Sequence, residues 1–337
     1  MKIIVCTGDS HTCGTGVERV KPMSLLETED ITYNINGKGT GRGDDFAMCS
    51  YVNLVRQYIT EHTASTSSVI DGETLAETAG YPVRHAAVRL DGALRLKNTA
   101  ELSVICFAEQ CEEAEAAIYL DGVLFKTERL HTPAPRFNEW SFRSVPVPCA
   151  GAKELQIVPL RGEVYISHIQ QASGAYAVIN SGVGSTTSGR YLDECFPYCV
   201  EAFRPDLIIA EAHTVNDWLR FDHPEQHRAS LEALVQKMRS VCPNILFMTV
   251  SPILGDQNSP SNGIDYHDFV DASRKIGALE GVSLVDANLA IQKVLDAIPA
   301  EEHPSFYSNS WHVNGKGHRI YADCLIDALK GILPDLS

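Results

Sequence analysis

The sequence lacks a long apolar run and lacks any excess of basic residues. Its 337 residues include 28 lysines and arginines against 43 aspartates and glutamates, which gives a formal net charge of −15. Nucleic acids and anionic membrane surfaces attract basic patches, so this balance argues against both as partners. A membrane-spanning helix needs roughly 20 successive apolar residues, and no run here approaches that length. These absences favour a soluble globular protein whose partner is a small molecule.

A secretory leader and a metal-binding cysteine pattern are lacking as well. The apolar residues 3–5 are followed almost at once by Gly8, Asp9 and Ser10, whereas a leader needs an apolar segment of about 7–15 residues. We therefore expect a cytoplasmic location. The ten cysteines are scattered without the paired spacing of a zinc site, so we expect reduced thiols and neither a metal ion nor another cofactor.

Short apolar strands alternate with helical patterns in two parts of the chain. This alternation is typical of an α/β domain with a parallel sheet that is covered by helices on both faces. It predicts a discontinuous domain made of residues 1–75 and 175–337. The predicted strands are five in number and cover residues 3–6, 175–180, 206–212, 244–250 and 282–287.

Between these two parts, residues 76–174 show alternating apolar and polar residues and no helical period. Asp-Gly pairs separate apolar runs at Asp91-Gly92 and at Asp121-Gly122, and this dipeptide is a strong hairpin signal. The pattern predicts an inserted antiparallel β-sandwich that is jelly-roll-like. Its role stays open between carbohydrate binding, a structural cap and a dimerisation surface, so the sequence also allows a homo-oligomer.

Polar segments follow the predicted parallel strands at the edge where open α/β sheets bind ligands. "GDS" (8–10) follows the first strand, "NSGVGSTTSG" (180–189) the second and "HTVND" (213–217) the third. A fourth segment, "WHVNGKGH" (311–318), precedes the last helical pattern. In this order the four segments resemble the sequence blocks of the SGNH, or GDSL-type, serine hydrolases. The resemblance covers the α/β part and implies a three-layer, flavodoxin-like fold.

The resemblance implies that Ser10 is the nucleophile and His312 the base. A serine hydroxyl attacks poorly until a neighbouring base takes its proton, which is why the two residue types occur together. The family stabilises the developing oxyanion with the N–H of the nucleophile, an N–H of the second block and an asparagine side chain. Ser10 and Asn216 match the first and the last of these groups. In the second block Gly184 is the predicted donor, with Ser185 as the alternative.

Two positions depart from the family pattern. Thr214 stands where a glycine is usual, and we expect it to narrow the space beside the oxyanion hole. Asn309 stands three residues before His312, where the family has an aspartate. Three explanations stay open: Asn309 or a main-chain carbonyl orients a Ser-His dyad, a carboxylate from elsewhere completes a triad, or the protein is catalytically weak. The candidate carboxylates are Glu301, Glu302 and Asp217.

Four further residues are predicted to line the substrate pocket because they flank the site in sequence. They are Asp9, His11, Ser185 and Trp311. His213 is also expected as a pocket wall. His312 and His318 are six residues apart, and this spacing does not place two metal ligands on one face of a helix, so no metal site is predicted.

The predicted function is an esterase that removes a small acyl group, most simply acetyl, from a sugar hydroxyl. A β-sandwich is typical of carbohydrate-binding domains, and no exposed apolar run favours a lipid interface. The partner is then an acylated sugar or oligosaccharide. Two alternatives stay open: a lysophospholipase or thioesterase that uses the same residues, and a catalytically weak carbohydrate-binding protein.

Overall fold

The computed structural model describes residues 1–17, 49–81, 83–84, 87–109, 112–131, 141–221, 223–255 and 263–336. Within them the chain forms two compact units. One unit contains residues 64–177, and the other contains residues 2–17, 49–63 and 178–336.

The strands of the described residues are numbered in chain order. They are β1 (Lys2–Gly8), β2 (Ser65–Asp71), β3 (Val83–Arg84), β4 (Ala87–Arg89), β5 (Leu94–Lys97), β6 (Leu102–Glu109), β7 (Ala114–Leu120), β8 (Val123–Leu130), β9 (Ser141–Pro148), β10 (Glu154–Arg161), β11 (Tyr165–Gly174), β12 (Tyr176–Gly182), β13 (Leu207–Glu211), β14 (Ile245–Met248) and β15 (Val282–Val285).

The α-helices are numbered in the same way. They are α1 (Ser10–Cys13), α2 (Tyr51–His62), α3 (Gly72–Ala79), α4 (Ser188–Arg190), α5 (Phe196–Cys199), α6 (Thr214–Trp218), α7 (Pro224–Val241), α8 (Tyr266–Ile276), α9 (Ala287–Asp296) and α10 (Gly315–Lys330). Short 3₁₀ segments occur at Glu201–Phe203, Ala300–Phe306 and Pro334–Leu336, and a π-helical turn at Tyr191–Cys195.

Five parallel strands form the sheet of the α/β unit, in the order β12-β1-β13-β14-β15. Counted by their sequence within this sheet, the order is 2-1-3-4-5, which is the flavodoxin-like arrangement. All residues of β13 are buried, as expected for a strand that is covered on both faces. Each of the five predicted strands corresponds to one of these strands, so the predicted α/β fold with a five-stranded parallel sheet is confirmed.

Helices cover the sheet in two groups. α10 packs against α2 and α9, and α7 packs against α8. Right-handed crossovers place helices on opposite faces when the strand order reverses, which gives three layers. The apolar spacing of residues 190–203 is typical of a single helix, but the chain there forms the end of α4, a π-helical turn, α5 and a 3₁₀ turn. Pro197 accounts for the break because it has no N–H to donate and its ring clashes with the preceding turn.

The other unit is a two-sheet sandwich. One sheet has the order β3-β4-β11-β6-β9, with β2 paired to β11, and the other has the order β5-β10-β7-β8. From β4 to β11 these are the eight strands of a jelly roll, which is built from two Greek keys. Buried side chains of both sheets, among them Phe107, Ile118, Leu155 and Ile166, form one apolar core between them. The predicted jelly-roll-like sandwich is therefore confirmed.

The two Asp-Gly turns differ. Asp121 and Gly122 connect β7 to its neighbour β8, and their φ angles of 48° and 78° fit a type I′ hairpin turn. Asp91-Gly92 connects β4 to β5, which belong to different sheets, so the hairpin expected there is wrong. The dipeptide favours a tight turn, but strand pairing at long range decides which sheet each arm joins.

The boundary of the sandwich unit lies earlier than residue 76. β2 has the polar sequence "STSSVID" and gave no strand signal, yet it pairs along its whole length with β11. Residues from 64 therefore belong to the sandwich unit, which ends at residue 177. No helix among the residues described is both long enough and apolar enough to cross a membrane.

Candidate active site

The sheet order determines where a ligand can bind. β1 and β13 are neighbours in the sheet. The next strand of the sheet after β1 is β12, on one side of this pair, and the next strand after β13 is β14, on the other side. A crevice opens beyond the carboxyl ends of two such strands, at the switch point of the sheet. Ser10 follows β1 at this point, and Asn216 lies in α6, just after β13.

The Gly-Asp-Ser turn has a separate structural reason for each residue. A Cβ on Gly8 would lie 2.3 Å from Thr12 Oγ1, so only glycine allows this close approach. Asp9 is the N-cap of α1, and its Oδ1 accepts the His11 N–H at 3.0 Å. Ser10 is then the first residue of a helix that ends after one turn at Gly14, whose φ is 95°.

Ser10 and His312 are in direct contact although 302 residues separate them in sequence. The Ser10 Oγ lies 2.7 Å from the Nε2 of His312. His312 reaches this position from the loop before α10, and its residue is only 4% exposed. The distance is within the range in which a base takes a hydroxyl proton.

The His312 ring is held in its neutral form. Burial, and then the nearby His11, lower the pKa of His312 to about 3. The Nδ1 atom lies 3.0 Å from the Oδ1 of Asn309, and an amide oxygen only accepts hydrogen bonds. Nδ1 therefore carries the hydrogen, and the lone pair of Nε2 faces the Ser10 hydroxyl. This is the tautomer that a general base needs.

Asn309 is in contact with the His312 ring. Its Oδ1 accepts the main-chain N–H groups of Trp311 and His312, each at 2.9 Å, in addition to the ring Nδ1–H. The three candidate carboxylates lie elsewhere: Glu301 and Glu302 are exposed on a 3₁₀ turn, and Asp217 accepts from Ser188. Of the three explanations, the geometry matches the dyad that Asn309 orients.

Asn216 has an amide fixed from both ends. Its Nδ2 donates to the Asp9 Oδ2 at 2.6 Å, and its Oδ1 accepts from Arg220 Nη1 at 2.7 Å. An amide nitrogen has two hydrogens, so one stays available beside the nucleophile turn. This arrangement fits an oxyanion-hole donor.

The predicted main-chain donors for an oxyanion lie in the nucleophile turn and just after β12. A Cβ on Gly182 would lie 2.2 Å from the Cys13 nitrogen, so this glycine brings β12 against α1. Gly184 is buried, and Ser185 has a φ of 56°. Across the residues that the structure describes, neither of these two nor Ser10 donates its main-chain N–H to another group. Gly184 and Ser185 both fit the predicted second-block donor.

Glu211 is a positioning residue that the sequence patterns did not identify. Its Oε2 accepts the Asp9 N–H and its Oε1 the His213 N–H, both at 2.6 Å. It therefore ties the nucleophile turn to the end of β13. Burial, and then the charge of Asp9, raise the pKa of Glu211 well above its usual range. The available signal was an acidic residue at the end of an apolar strand, "DLIIAEA".

The predicted pocket residues divide into two groups. Trp311 is 40% exposed, and Ser185 is partly exposed, so both can contact a ligand. Asp9 and His11 are completely buried, and so is His213, whose Nδ1 bonds the Thr186 carbonyl. The expectation that these three line the pocket is corrected, because their polar atoms are used within the fold.

Thr214 does not project freely into the site. Its hydroxyl lies 3.1 Å from Ser273 Oγ in α8, and its residue is fully buried. The methyl and hydroxyl groups that replace the usual hydrogen of glycine thus have a packing partner. The expected narrowing beside the oxyanion hole is not what this contact indicates.

A second serine, histidine and carboxylate arrangement lies inside the α/β unit. His227 Nδ1 is 2.7 Å from Asp217 Oδ2, and His227 Nε2 is 2.8 Å from Ser273 Oγ. All three residues are inaccessible to solvent, and the Ser273 hydroxyl donates to the Phe269 carbonyl within α8. This group joins α6, α7 and α8, so its role is structural.

Asp9, His11 and Glu211 are the metal-ligand types that cluster within the described part of the chain. One ligand atom of each lies within 4.8 Å of the others. These side chains, however, already bond one another or main-chain groups. A cation here would have to displace those hydrogen bonds, so we assign no metal to this cluster.

Two buried histidines predict acid sensitivity of the fold. Burial lowers the pKa of His318 to about 3, as it does for His312. The unfolded chain therefore binds more protons than the folded chain between pH 6.5 and 3, and stability falls as the pH falls through this window. We expect each histidine to cost about 2–3 kcal/mol of unfolding free energy between pH 6.5 and 4.5, measured by urea denaturation.

His318→Asn tests this dependence. The Nδ1 of His318 accepts the Tyr51 N–H at 3.1 Å, and an asparagine oxygen can take over that bond. In His318→Asn the fall in unfolding free energy between pH 6.5 and 4.5 should be smaller by about 2–3 kcal/mol, the share of one buried histidine. In His267→Asn, a surface variant, the fall should be unchanged. Equal slopes in the wild type and His318→Asn would show that His318 is not a buried neutral group.

Comparisons with known proteins give a family match and a fold match. Residues 160–320 match the model of the GDSL-like lipase/acylhydrolase family; the match includes Asn216, Asn309 and His312, and Ser10 precedes it. No curated protein matches the sequence. Among solved structures, a peptidoglycan O-acetylesterase superposes with a TM-score of 0.51 at 13% identity, over 98% of this chain and 91% of that chain.

A smaller part of the chain resembles a second solved structure. An acetylxylan esterase from Geobacillus stearothermophilus aligns at 20% identity with a TM-score of 0.38, over 45% of this chain and 72% of that chain. The match of residues 160–320 to the family model, together with the fold shared with the peptidoglycan O-acetylesterase, confirms the predicted family resemblance. Residues 160–320 are similar to the GDSL-like lipase/acylhydrolase family, and the chain has the fold of the SGNH-type esterases.

Proposed function

We propose that this protein is a serine esterase that removes acetyl or a similarly small acyl group from a carbohydrate hydroxyl. The observation that carries the proposal is the 2.7 Å contact between Ser10 Oγ and the Nε2 of a neutral His312. A hydroxyl that faces the lone pair of a fixed imidazole is an activated nucleophile.

The reaction has two halves. Ser10 Oγ attacks the acyl carbonyl while His312 Nε2 takes its proton, and the oxyanion receives hydrogen bonds from Ser10 N–H, Asn216 Nδ2 and an N–H of Gly184 or Ser185. When the C–O bond to the sugar breaks, His312 returns the proton to the departing oxygen. His312 then deprotonates a water, which releases the acid and restores Ser10.

The acyl size and the substrate class are extensions of this chemistry. Ser10 and His312 are only 3% and 4% exposed, which favours a small acyl group over a long chain. The jelly-roll unit is an architecture that lectins also use, and the fold is shared with a protein named as a peptidoglycan O-acetylesterase. Because one fold hosts many functions, the assay must decide.

Hydrolysis of p-nitrophenyl esters from acetyl to decanoyl tests the proposal. We expect kcat/KM to be highest for acetyl and to fall at least about tenfold by octanoyl, because the buried dyad leaves little room for a long chain. Acetate release from acetylated oligosaccharides should follow the same serine dependence, with Ser10→Ala as the background.

Other outcomes would identify the alternatives. A preference for long acyl chains would support the lysophospholipase or thioesterase hypothesis. Absence of turnover that depends on Ser10 would contradict the esterase proposal and leave a carbohydrate-binding protein.

A further inference from the structure

His11, the residue after the nucleophile, bridges two segments of the site. It is completely buried. Its Nδ1 lies 3.1 Å from Asp9 Oδ1 in the nucleophile turn, and its Nε2 lies 2.9 Å from the main-chain carbonyl oxygen of Trp311. Trp311 is the residue directly before His312, so the bridge ends on the segment that carries the base.

The two partners require a hydrogen on each ring nitrogen. A main-chain carbonyl can only accept. Burial alone would raise the pKa of Asp9, but the hydrogen bond and charge of His11 hold it well below its usual range, so Asp9 is a carboxylate and also only accepts. A ring that donates from both nitrogens is an imidazolium. Its burial is tolerated because Asp9 is the paired opposite charge.

We propose that His11 is a positioning residue for ester hydrolysis: its doubly protonated ring ties the nucleophile turn to the Trp311 carbonyl and thereby holds His312 against Ser10. The proposal rests on the proposed function of that dyad. It assigns His11 no contact with substrate, since the ring is buried.

The surroundings of His11 show which charges it meets. In its own turn His11 faces Asp9. In the segment that carries the base, Asn309 to His312, it faces the His312 ring, at 5.1 Å between ring centroids. α10 contributes the Tyr321 edge at 6.5 Å and the buried His318, and β13 ends in Glu211, with His213 beyond it. Because the pKa of Glu211 is raised and those of His312 and His318 are lowered, Asp9 supplies the charge that balances His11 among the described groups.

The bridge has a consequence for the base. Burial is the largest cause of the lowered pKa of His312, and the charge of His11 lowers that pKa further. His11→Gln removes this charge and has one donor nitrogen where the imidazolium ring has two on opposite sides. We expect kcat to fall about tenfold with KM within about twofold, since the dyad loses alignment rather than substrate contacts. The acidic limb of the pH profile, in which kcat/KM falls as His312 is protonated, should move to higher pH by about one pH unit.

His227→Gln is a matched control. His227 is another fully buried histidine bonded to a carboxylate, at 2.7 Å from Asp217, but it does not contact the base segment. Its replacement should lower stability without moving the acidic limb. An unchanged kcat and acidic limb in folded His11→Gln would overturn the proposal.

A measurement on the wild-type protein needs no variant to fold. In ¹⁵N NMR spectra of histidine-labelled protein near pH 7.5, both ring nitrogens of His11 should show protonated shifts, and His312 should show one protonated nitrogen. One unprotonated His11 nitrogen would overturn the bridge. If the wild type instead showed no hydrolysis that depends on Ser10, the proposed function would fail together with the role of His11 in it, whatever the spectra showed.

Discussion

Ser10→Ala is expected to lower kcat for acetyl-ester hydrolysis about 10⁴- to 10⁶-fold, and His312→Ala is expected to lower it nearly as much. The reason is that the hydroxyl and the imidazole act as one unit: the alkoxide forms only as Nε2, 2.7 Å away, takes the proton. Steady-state hydrolysis of p-nitrophenyl acetate measures both variants.

The double variant gives the sharper test. If Ser10 and His312 form one nucleophile, Ser10→Ala/His312→Ala should be no slower than the slower single variant within about threefold. Additive losses would show that the two side chains act separately, and the dyad would have to be abandoned.

Ser273→Ala is a matched control for these variants. Ser273 is also a buried serine whose Oγ bonds a histidine nitrogen, at 2.8 Å. It lies in the inaccessible group with His227 and Asp217, so its loss should leave kcat within about threefold. A loss comparable to that of Ser10→Ala would mean that the structural assignment of this group is wrong.

Local patterns were sufficient to predict the sheet and the sandwich. Buried parallel strands such as β13 are apolar throughout, and the Asp121-Gly122 turn requires two positive φ angles that this dipeptide adopts easily. In these elements the local preference and the tertiary environment favour the same structure, so the sequence pattern alone predicts it.

The failures have one physical cause. β2 is polar, and its strand state comes from pairing with β11, almost a hundred residues later in the chain. Asp91-Gly92 is a turn between sheets because β4 and β5 have different partners. In both cases hydrogen bonds at long range override a local preference.

The motifs predicted which residues meet but not how they are held. The sequence order placed Ser10, Asn216, Asn309 and His312 at one edge of the sheet, and the structure brings them together around Asp9 and His11. His11 was expected as a pocket wall, but it is completely buried, and its Nε2 bonds the Trp311 carbonyl 300 positions away. No local pattern reports such a bond.

Asn309→Ala is expected to lower kcat about 10²- to 10³-fold. Asn309 Oδ1 is the acceptor for the Nδ1–H of His312 and for two main-chain N–H groups. Without it the ring has no fixed tautomer, and in serine proteases loss of the correct tautomer costs about 10⁴-fold. The loss here should be smaller because asparagine contributes no charge. The kcat for p-nitrophenyl acetate at pH 8 measures it.

Asn309→Asp separates orientation from charge. An aspartate keeps all three acceptor bonds and adds a negative charge about 3 Å from Nδ1, so it should raise the pKa of His312 by about 1–3 units from its value near 3. Because only the neutral ring acts as a base, the acidic limb of kcat/KM should move to higher pH by the same amount. At pH 8 kcat should be equal to or up to about tenfold above that of the wild type, since the imidazolium formed during attack gains a counter-charge.

The pair of variants decides among the three explanations for Asn309. A large loss in Asn309→Ala together with a shifted limb in Asn309→Asp identifies asparagine as the orienting group of a Ser-His dyad. If neither variant changes kcat or its pH dependence, another acceptor orients His312, either a main-chain carbonyl or a carboxylate such as Glu301 or Glu302. If Asn309→Asp instead raises kcat by more than about 10²-fold, the natural asparagine is what makes this protein a weak enzyme, and its selected role is then binding rather than turnover.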